Sequence, residues 1–194
     1  MKAIRLKWFL LFLLVGTVFQ LPAQQSEANR KLLADIRAKA EKGDAQSQSE
    51  LGAAFFTGNH GLVKDDVEAV KWFRKGAEQN VAEAQSNLGI CYFEGQGVAK
   101  DRAEAVKWFR KAAEQNHAFA QYNLGVCYSS GQGVAKDFVE AYKWWLLAAA
   151  QGAEPARNDM STLERRMTPE QIADGKKLAS DWLKQHKQPA TDSR

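Results

Sequence analysis

The sequence predicts an all-α fold, an α-α superhelix of about three helix-pair repeats with a capping helix at each end. The segment Leu-Gly-Ile-Cys-Tyr that begins at Leu88 returns 36 residues later at Leu124 as Leu-Gly-Val-Cys-Tyr, and a looser copy begins at Leu51. A Lys-Trp pair recurs with the same period at positions 71, 107 and 143. A period in the thirties is typical of a solenoid of stacked units. Because repeated residues describe architecture, function is sought at positions that differ between copies.

The N-terminal segment predicts export. Three positive charges within the first seven residues precede an apolar stretch, Trp8 to Phe19, that is too short to span a bilayer comfortably. We therefore interpret residues 1–23 as a secretory signal peptide cleaved after the small residue Ala23, with an uncleaved anchor helix as the alternative. The mature chain is expected to be exported, periplasmic or secreted in a bacterium, without membrane association.

The charge of the mature chain gives no indication of nucleic-acid binding. Loss of Lys2, Arg5 and Lys7 with the signal peptide lowers the formal net charge from +4 to +1. The remaining lysines alternate with glutamates and form no basic stripe of the kind that binds phosphates. About 171 residues remain, enough for one domain with a substantial core.

The chain divides into a signal peptide, a solenoid and a short tail. We assign residues 24–186 to the solenoid, with repeats at about 45–81, 82–117 and 118–153 and a C-terminal cap at 154–186. The N-terminal capping helix is predicted at residues 27–42, closed by Gly43. We expect residues 187–194 to be disordered, because the tail is polar.

Each unit is predicted to contain two helices. In the second unit Ala84, Leu88 and Cys91 recur at spacings of three and four, which indicates an amphipathic helix A at about residues 82–94. Gly89 recurs at positions 52 and 125, and we interpret it as a point of close approach to a neighbouring helix.

A glycine-rich turn leads into the second helix, helix B. Asp101 is predicted to cap this helix, and Glu104 three residues later completes a capping box. The same acidic pair occurs at 65 and 68 and at 137 and 140, so these carboxylates are interpreted as helix starts. The tryptophans at 72, 108 and 144 form a periodic stripe that we predict to be core. Helix B is expected to end in the left-handed conformation at Asn80, Asn116 and Gly152.

The C-terminal cap is predicted to contain two helices. Pro155 begins a last helix A, and Thr168 caps a longer helix that we expect to fold over the exposed end of the stack. The apolar residues of that helix are Ile172, Leu178, Ala179, Trp182 and Leu183.

The two cysteines are predicted to be buried free thiols. Cys91 and Cys127 occupy the same position in successive units. Equivalent positions on stacked helices lie roughly 8 to 10 Å apart, whereas a disulfide needs Cα atoms within about 7 Å. Ala54 stands at this position in the first unit, which indicates a site for a small apolar side chain. A Cys91–Cys127 disulfide is the alternative.

The repeated unit resembles a known family. The patterns Leu-Gly-x-x-Tyr-x-x-Gly-x-Gly-Val-x-Lys-Asp and Glu-Ala-x-Lys-Trp-Phe-x-Lys-Ala-Ala-Glu are similar to Sel-like (SLR) repeats, relatives of the tetratricopeptide repeats, from residue 45 to about 157. The resemblance implies a right-handed, tetratricopeptide-like superhelix whose A helices line a concave groove. It also implies an adaptor that holds proteins or peptides, although some cysteine-rich relatives are linked to penicillin binding or β-lactam hydrolysis.

Catalytic motifs are missing from the sequence. It contains no His-Glu-x-x-His, Gly-x-Ser-x-Gly or Ser-x-x-Lys. His60, His117 and His186 show no metal-ligand spacing and are interpreted as surface residues. We therefore expect no enzymatic activity, no metal and no cofactor. The alternative is a cell-wall or β-lactam acting hydrolase.

The helix A face opposite the core is the predicted binding site for a protein or peptide. Its apolar strip consists of Phe56, Ile90, Phe93, Tyr122 and Val126. An exposed apolar patch of this kind marks an interaction site. Asn87 and Asn123 are expected to bind a peptide backbone, since an amide both donates and accepts hydrogen bonds. Alternatively, the strip covers the terminal helix, or the protein self-associates.

Overall fold

The computed structural model describes residues 27–186, in which helices are joined by short turns and no strand occurs. The helices are α1 (residues 27–41), α2 (Ala45–Thr57), α3 (Asp66–Glu78), α4 (Ala82–Glu94), α5 (Arg102–Glu114), α6 (Ala118–Ser130), α7 (Phe138–Ala150), α8 (Glu154–Glu164) and α9 (Pro169–Gln185), with a 3₁₀ turn at Asn59–Gly61. The all-α prediction is confirmed. The signal peptide and the tail predicted from the sequence lie outside the described residues.

The helices pack as an alternating series. The A helices α2, α4 and α6 each pack against the B helix that follows, and each B helix also packs against the next A helix. Each of these six helices has 13 residues. Helix α8 continues the A series after α7. The result is the predicted superhelix of three helix pairs, flanked by terminal helices.

Helix starts follow the prediction only in part. The Asp101 side chain accepts a hydrogen bond from Glu104 N at 2.9 Å, as expected of a cap. The Glu104 carboxylate, however, pairs with Lys107 Nζ at 2.8 Å, so the predicted capping box is incomplete. A complete box forms at α9, where Thr168 Oγ1 accepts from Gln171 N and Gln171 Oε1 accepts from Thr168 N. An ion pair one turn along the helix thus competes with the capping role of glutamate.

Two kinds of glycine allow the close packing of the units. A Cβ atom on Gly89 would lie 2.7 Å from Phe109 Cδ1, which confirms the close approach predicted at this position. Gly97, in the turn between α4 and α5, has a φ of +68°, and a Cβ there would lie 2.0 Å from the Asp66 carbonyl oxygen. The turn of one unit therefore rests directly on the start of the preceding B helix. B helices end as predicted, with Asn80 and Asn116 at positive φ.

The tryptophan stripe is core at only one of its three positions. Trp144 is 2% exposed, because Trp182 of α9 packs on it with ring centroids 6.1 Å apart. Trp72 and Trp108 are half-buried, and a lysine ammonium group lies 4.1 Å from each ring centroid. The prediction that all three are core holds fully only for Trp144, because Trp72 and Trp108 pack at the edges of core clusters. The aromatic residues buried in every unit are Phe73, Phe109 and Trp145.

A ladder of glutamine side chains joins the units. Gln115 Nε2 donates to Gln85 Oε1 at 2.7 Å, and Gln85 Nε2 donates to the Ala77 carbonyl at 3.1 Å. In the third unit, Gln151 Nε2 donates to Gln121 Oε1 at 2.8 Å. Gln85 and Gln121 are buried, and each has hydrogen-bond partners at both its side-chain nitrogen and its side-chain oxygen, so the two amides cost little to bury. Their bonds to the carbonyls of Ala77 and Ala113 link each unit to the preceding one.

Helix α9 folds back across the last repeat. It packs against α7, and its Trp182 Nε1 donates to Glu114 Oε2 at 2.9 Å. Gly175 lies where a Cβ would be 2.8 Å from Tyr142 Cδ1, so the absence of a side chain permits the approach. Leu178 and Leu183 are exposed on its outer side. No helix in residues 27–186 has both the length and the apolar character needed to cross a bilayer.

Candidate functional site

The two phenylalanines of the predicted site occupy equivalent positions in the last turns of α2 and α4. The Phe56 ring packs on Phe73 with centroids 6.1 Å apart, and the Phe93 ring packs on Phe109 at 6.3 Å. Both interplanar angles are tilted, in the range favoured by aromatic pairs. One face of each ring thus belongs to the core, and both residues are half-buried.

Each of these rings also has a cation close to it. Lys64 Nζ lies 5.5 Å from the Phe56 centroid, and Arg102 Cζ lies 5.6 Å from the Phe93 centroid. The two cations come from the segment that enters the following B helix. Lys64 also pairs with Asp66 Oδ1 at 3.2 Å, so the positive charge beside the aromatic surface comes mainly from Arg102.

Ile90 and Val126 are also equivalent to each other, on α4 and α6. Both are half-buried. Ile90 packs against the apolar cluster that contains Leu124, and Val126 packs against the cluster that contains Trp145. Each side chain therefore contributes part of its surface to the core and leaves part of it accessible.

The two asparagines predicted to bind a peptide backbone are half-buried at equivalent positions of α4 and α6. Asn123 Nδ2 donates to the Phe119 carbonyl of its own helix at 2.9 Å. This bond leaves the Asn123 side-chain oxygen as the group that a ligand would meet first. Asn87 occupies the matching place one unit earlier.

Tyr122 connects α6 to α8. Its hydroxyl donates to Asp159 Oδ2 at 3.1 Å, and its backbone carbonyl accepts from Trp145 Nε1, also at 3.1 Å. Burial raises the pKa of Tyr122, and the neighbouring Asp159 carboxylate raises it further. The hydroxyl is therefore a donor at neutral pH, and the side chain is held in one orientation.

A further exposed aromatic residue lies beside this set. Phe119 is 52% exposed and borders a shallow cleft of about 520 Å³ with Tyr122 and Pro155. Position 119 corresponds to Glu83 in the second unit, so the difference between copies was visible in the sequence. The predicted site nevertheless omits Phe119, because its residues were chosen only from the apolar strip and the two asparagines.

Both cysteines are buried free thiols, as predicted. Burial raises the pKa of Cys91 to about 12 and that of Cys127 to about 11, and Asp66 adds to the effect at Cys91. Since the thiolate is the nucleophilic form, neither sulfur is set up for nucleophilic catalysis.

Two histidines differ from their surface interpretation, because His60 and His117 are both half-buried. His117 is half-buried and caps α6, because its Nδ1 accepts a hydrogen bond from Ala120 N at 3.3 Å. Burial lowers the pKa of His117, which favours the neutral ring that can accept this bond. Across residues 27–186, no group of three or more His, Cys, Asp or Glu side chains is placed to hold a metal ion.

Solved structures with the same fold come from several bacteria, and 24 chains match. A Sel1 repeat protein from Oxalobacter formigenes is 41% identical, with a TM-score of 0.60, over 67% of this chain and 97% of that one. A protective antigen of uropathogenic Escherichia coli with an SLR fold is 28% identical, with a TM-score of 0.60, over 78% of this chain and 40% of that one.

The fold is also that of cysteine rich protein B of Helicobacter pylori, which is 23% identical, with a TM-score of 0.52, over 65% of this chain and 95% of that one. No curated protein matches the chain.

The Sel1 repeat matches three times, at residues 45–81, 82–117 and 118–152. Proteins built from such repeats are generally helical scaffolds for protein interaction. With its three repeats and this packing, the chain belongs to the Sel1 repeat family.

Proposed function

We propose that the protein is an exported, non-enzymatic scaffold that binds a protein or peptide through a groove lined by α2, α4 and α6. The family supports the scaffold role in general terms. The observation that carries the proposal is the partial exposure of apolar side chains along successive A helices. Phe56, Phe93, Ile90 and Val126 each pack against the core with part of their surface and leave the rest accessible.

The chemistry of these positions fits a peptide ligand. Half-buried rings and aliphatic side chains offer apolar contacts without needing to rearrange, and Arg102 beside Phe93 favours acidic segments. The asparagines add hydrogen bonds to a peptide backbone. A rigid surface of this kind loses little conformational entropy when it binds.

The binding role is tested by blocking the groove without emptying the core. Asn87→Arg with Asn123→Arg places two long charged side chains at half-buried positions, whereas truncating Phe93 or Tyr122 removes packing as well. The matched control is Ala173→Arg with Ser180→Arg, two exposed positions of α9. Partner capture from host extracts should be lost with the first pair and retained with the second. Equal capture by both variants would refute the groove.

Export is tested on the protein as the host makes it. The mass of the intact protein recovered from the periplasm or medium should correspond to a chain that begins at Gln24, after cleavage at Ala23. A full-length chain retained in the membrane fraction would instead indicate the anchor alternative.

The hydrolase alternative receives no support from the thiols, because burial raises the pKa of both. Incubation with a fluorescent penicillin followed by denaturing electrophoresis should show no covalent adduct. A labelled band that is competed by unlabelled penicillin would overturn the non-enzymatic interpretation.

A further inference from the structure

The third repeat lacks the ring that the first two repeats carry at the end of helix A. Ser129 occupies the position of Phe56 and Phe93. Its hydroxyl donates to the Val126 carbonyl of its own helix at 3.0 Å. Ser129 lines a cavity of about 350 Å³ at this end of the third repeat.

The cavity has an apolar floor and a polar opening. Trp145 and Leu163 are both buried and line it together with Ser129. Trp145 is the counterpart of Phe73 and Phe109, the rings that pack on Phe56 and Phe93. Trp145 is 5% exposed, so only its edge reaches the cavity, and the unfilled space lies beside Ser129.

Two cations and one carboxylate surround the opening. Lys136 Nζ and Arg166 Cζ each lie 4.9 Å from the ring centroid of Phe138. Neither cation forms an ion pair within residues 27–186. Asp159 also lines the cavity, but it already accepts the Tyr122 hydroxyl. The opening thus has two cations available for an anionic ligand.

We propose that this cavity binds a phenyl side chain of an acidic peptide segment, with the ring beside Ser129 and a neighbouring carboxylate at Lys136 and Arg166. This inference rests on the proposed groove and names the chemistry of its ligand. The occupant replaces the ring that the chain itself supplies in the first two repeats. The volume is at the lower end of ligand pockets, of about 300 to 1,000 Å³, and suits one side chain.

The position of the cavity favours a peptide over a free small molecule. It adjoins the predicted groove at two points, through the Ser129 bond to Val126 and the Asp159 bond to Tyr122. A peptide that lies along α4 and α6 would reach it with one side chain while its remaining residues contact the strip.

The test uses a fluorescein-labelled peptide that carries one phenylalanine flanked by glutamates, with binding measured by anisotropy. Ser129→Phe fills the cavity with the side chain that the other repeats tolerate, and it should weaken binding about tenfold or more. Replacing the peptide phenylalanine with alanine should weaken binding to the same extent. An unchanged melting temperature of Ser129→Phe would show that the fold is intact.

A second pair of variants tests the cations. Lys136→Gln with Arg166→Gln should weaken binding of the acidic peptide and reduce its salt dependence, since fewer charges remain to be screened. Lys100→Gln, at the equivalent of Lys136 in the second repeat, is the matched control and should bind like the parent. A lysine-flanked peptide should bind weakly to all variants.

The remaining outcomes separate this inference from the proposed function. Binding that survives Ser129→Phe but is lost in Asn87→Arg with Asn123→Arg would overturn the cavity site and leave the groove supported. Binding of free phenylalanine with the same affinity as the peptide would overturn the peptide assignment. No binding of the peptide to the parent protein would overturn the inference, whereas the groove is tested separately by partner capture.

Discussion

At the level of single residues, recurrence in the sequence separates structural roles from functional ones. The close approach at Gly89 could be predicted because glycine returns at the same position in each unit. The cap formed by His117 could not, because asparagine, aspartate and serine are the usual N-caps and histidine is not among them. The glutamines of the ladder recur in the sequence, but their partners become apparent only when helices A and B of each unit are packed together.

The burial of the thiols predicts that they react slowly in the folded protein. With pKa values of about 12 and about 11, on the order of one thiol in a thousand or fewer is ionised at pH 8. Labelling with a chromogenic disulfide reagent should be slow in the native protein and should count two thiols after denaturation. Fast native labelling, or no thiol after denaturation, would contradict the structure.

The His117 cap predicts a loss of stability in mild acid. Burial lowers the pKa of His117 below 6.5, while Glu83 partly opposes this shift. As the pH falls below 6.5, the unfolded chain binds a proton more readily than the folded chain, so the free energy of unfolding decreases. The loss should be about 1 kcal/mol, the usual value of an N-cap.

The control for this prediction is His117→Asn, which keeps a capping side chain but does not titrate. The difference in unfolding free energy between the parent and this variant should vary between pH 7 and pH 5. A difference that stays constant over this range would show that the cap does not depend on the protonation of His117.

At the level of helices, starts and ends could be predicted, whereas packing partners outside the repeat could not. The bounds of α4 match the prediction at about residues 82–94, because turn glycines and capping residues mark them. The capping box predicted at Asp101 is incomplete, because the Glu104 carboxylate pairs with Lys107 and does not bond the cap. The docking of α9 on α7 has no counterpart in the repeats, so no recurring residue pointed to it.

The close contact between helices A and B predicts the effect of adding one methyl group. Gly89→Ala places a Cβ against the Phe109 ring and should lower the free energy of unfolding by about 1 to 3 kcal/mol through overpacking. Chemical denaturation of the variant measures this change. Ser180→Ala, at an exposed helical position of α9, is the control and should have almost no effect. Equal stability of both variants would refute the close contact.

At the level of the whole molecule, α9 joins the second and third repeats. Trp182 packs on Trp144 and binds Glu114 of α5, and the His186 ring stacks on it with centroids 4.0 Å apart. The core is thus continuous from the repeats into the C-terminal helix. The sequence predicts a helix that covers the end of the stack. It does not predict which residues Trp182 contacts, because these depend on how far the chain folds back after α8.

Removal of the Trp182 side chain should therefore destabilise the solenoid. Trp182→Ala is expected to lower the free energy of unfolding by about 3 to 5 kcal/mol, as is usual for a buried aromatic residue. The neighbouring Leu183 is 45% exposed, so Leu183→Ala should cost much less and serves as the control. Similar losses for both variants in urea denaturation would contradict the position of α9.

The groove proposed along the A helices is tested most directly by photo-crosslinking in the host. A benzoylphenylalanine introduced at Ile90, on α4, reports what contacts the apolar strip, and the same residue at Ala173, on the outer side of α9, is the control. The proposal predicts a specific adduct of a second protein or peptide at position 90 and none at position 173. Adducts at position 173 alone, or equal adducts at both positions, would contradict a binding site on the A helices.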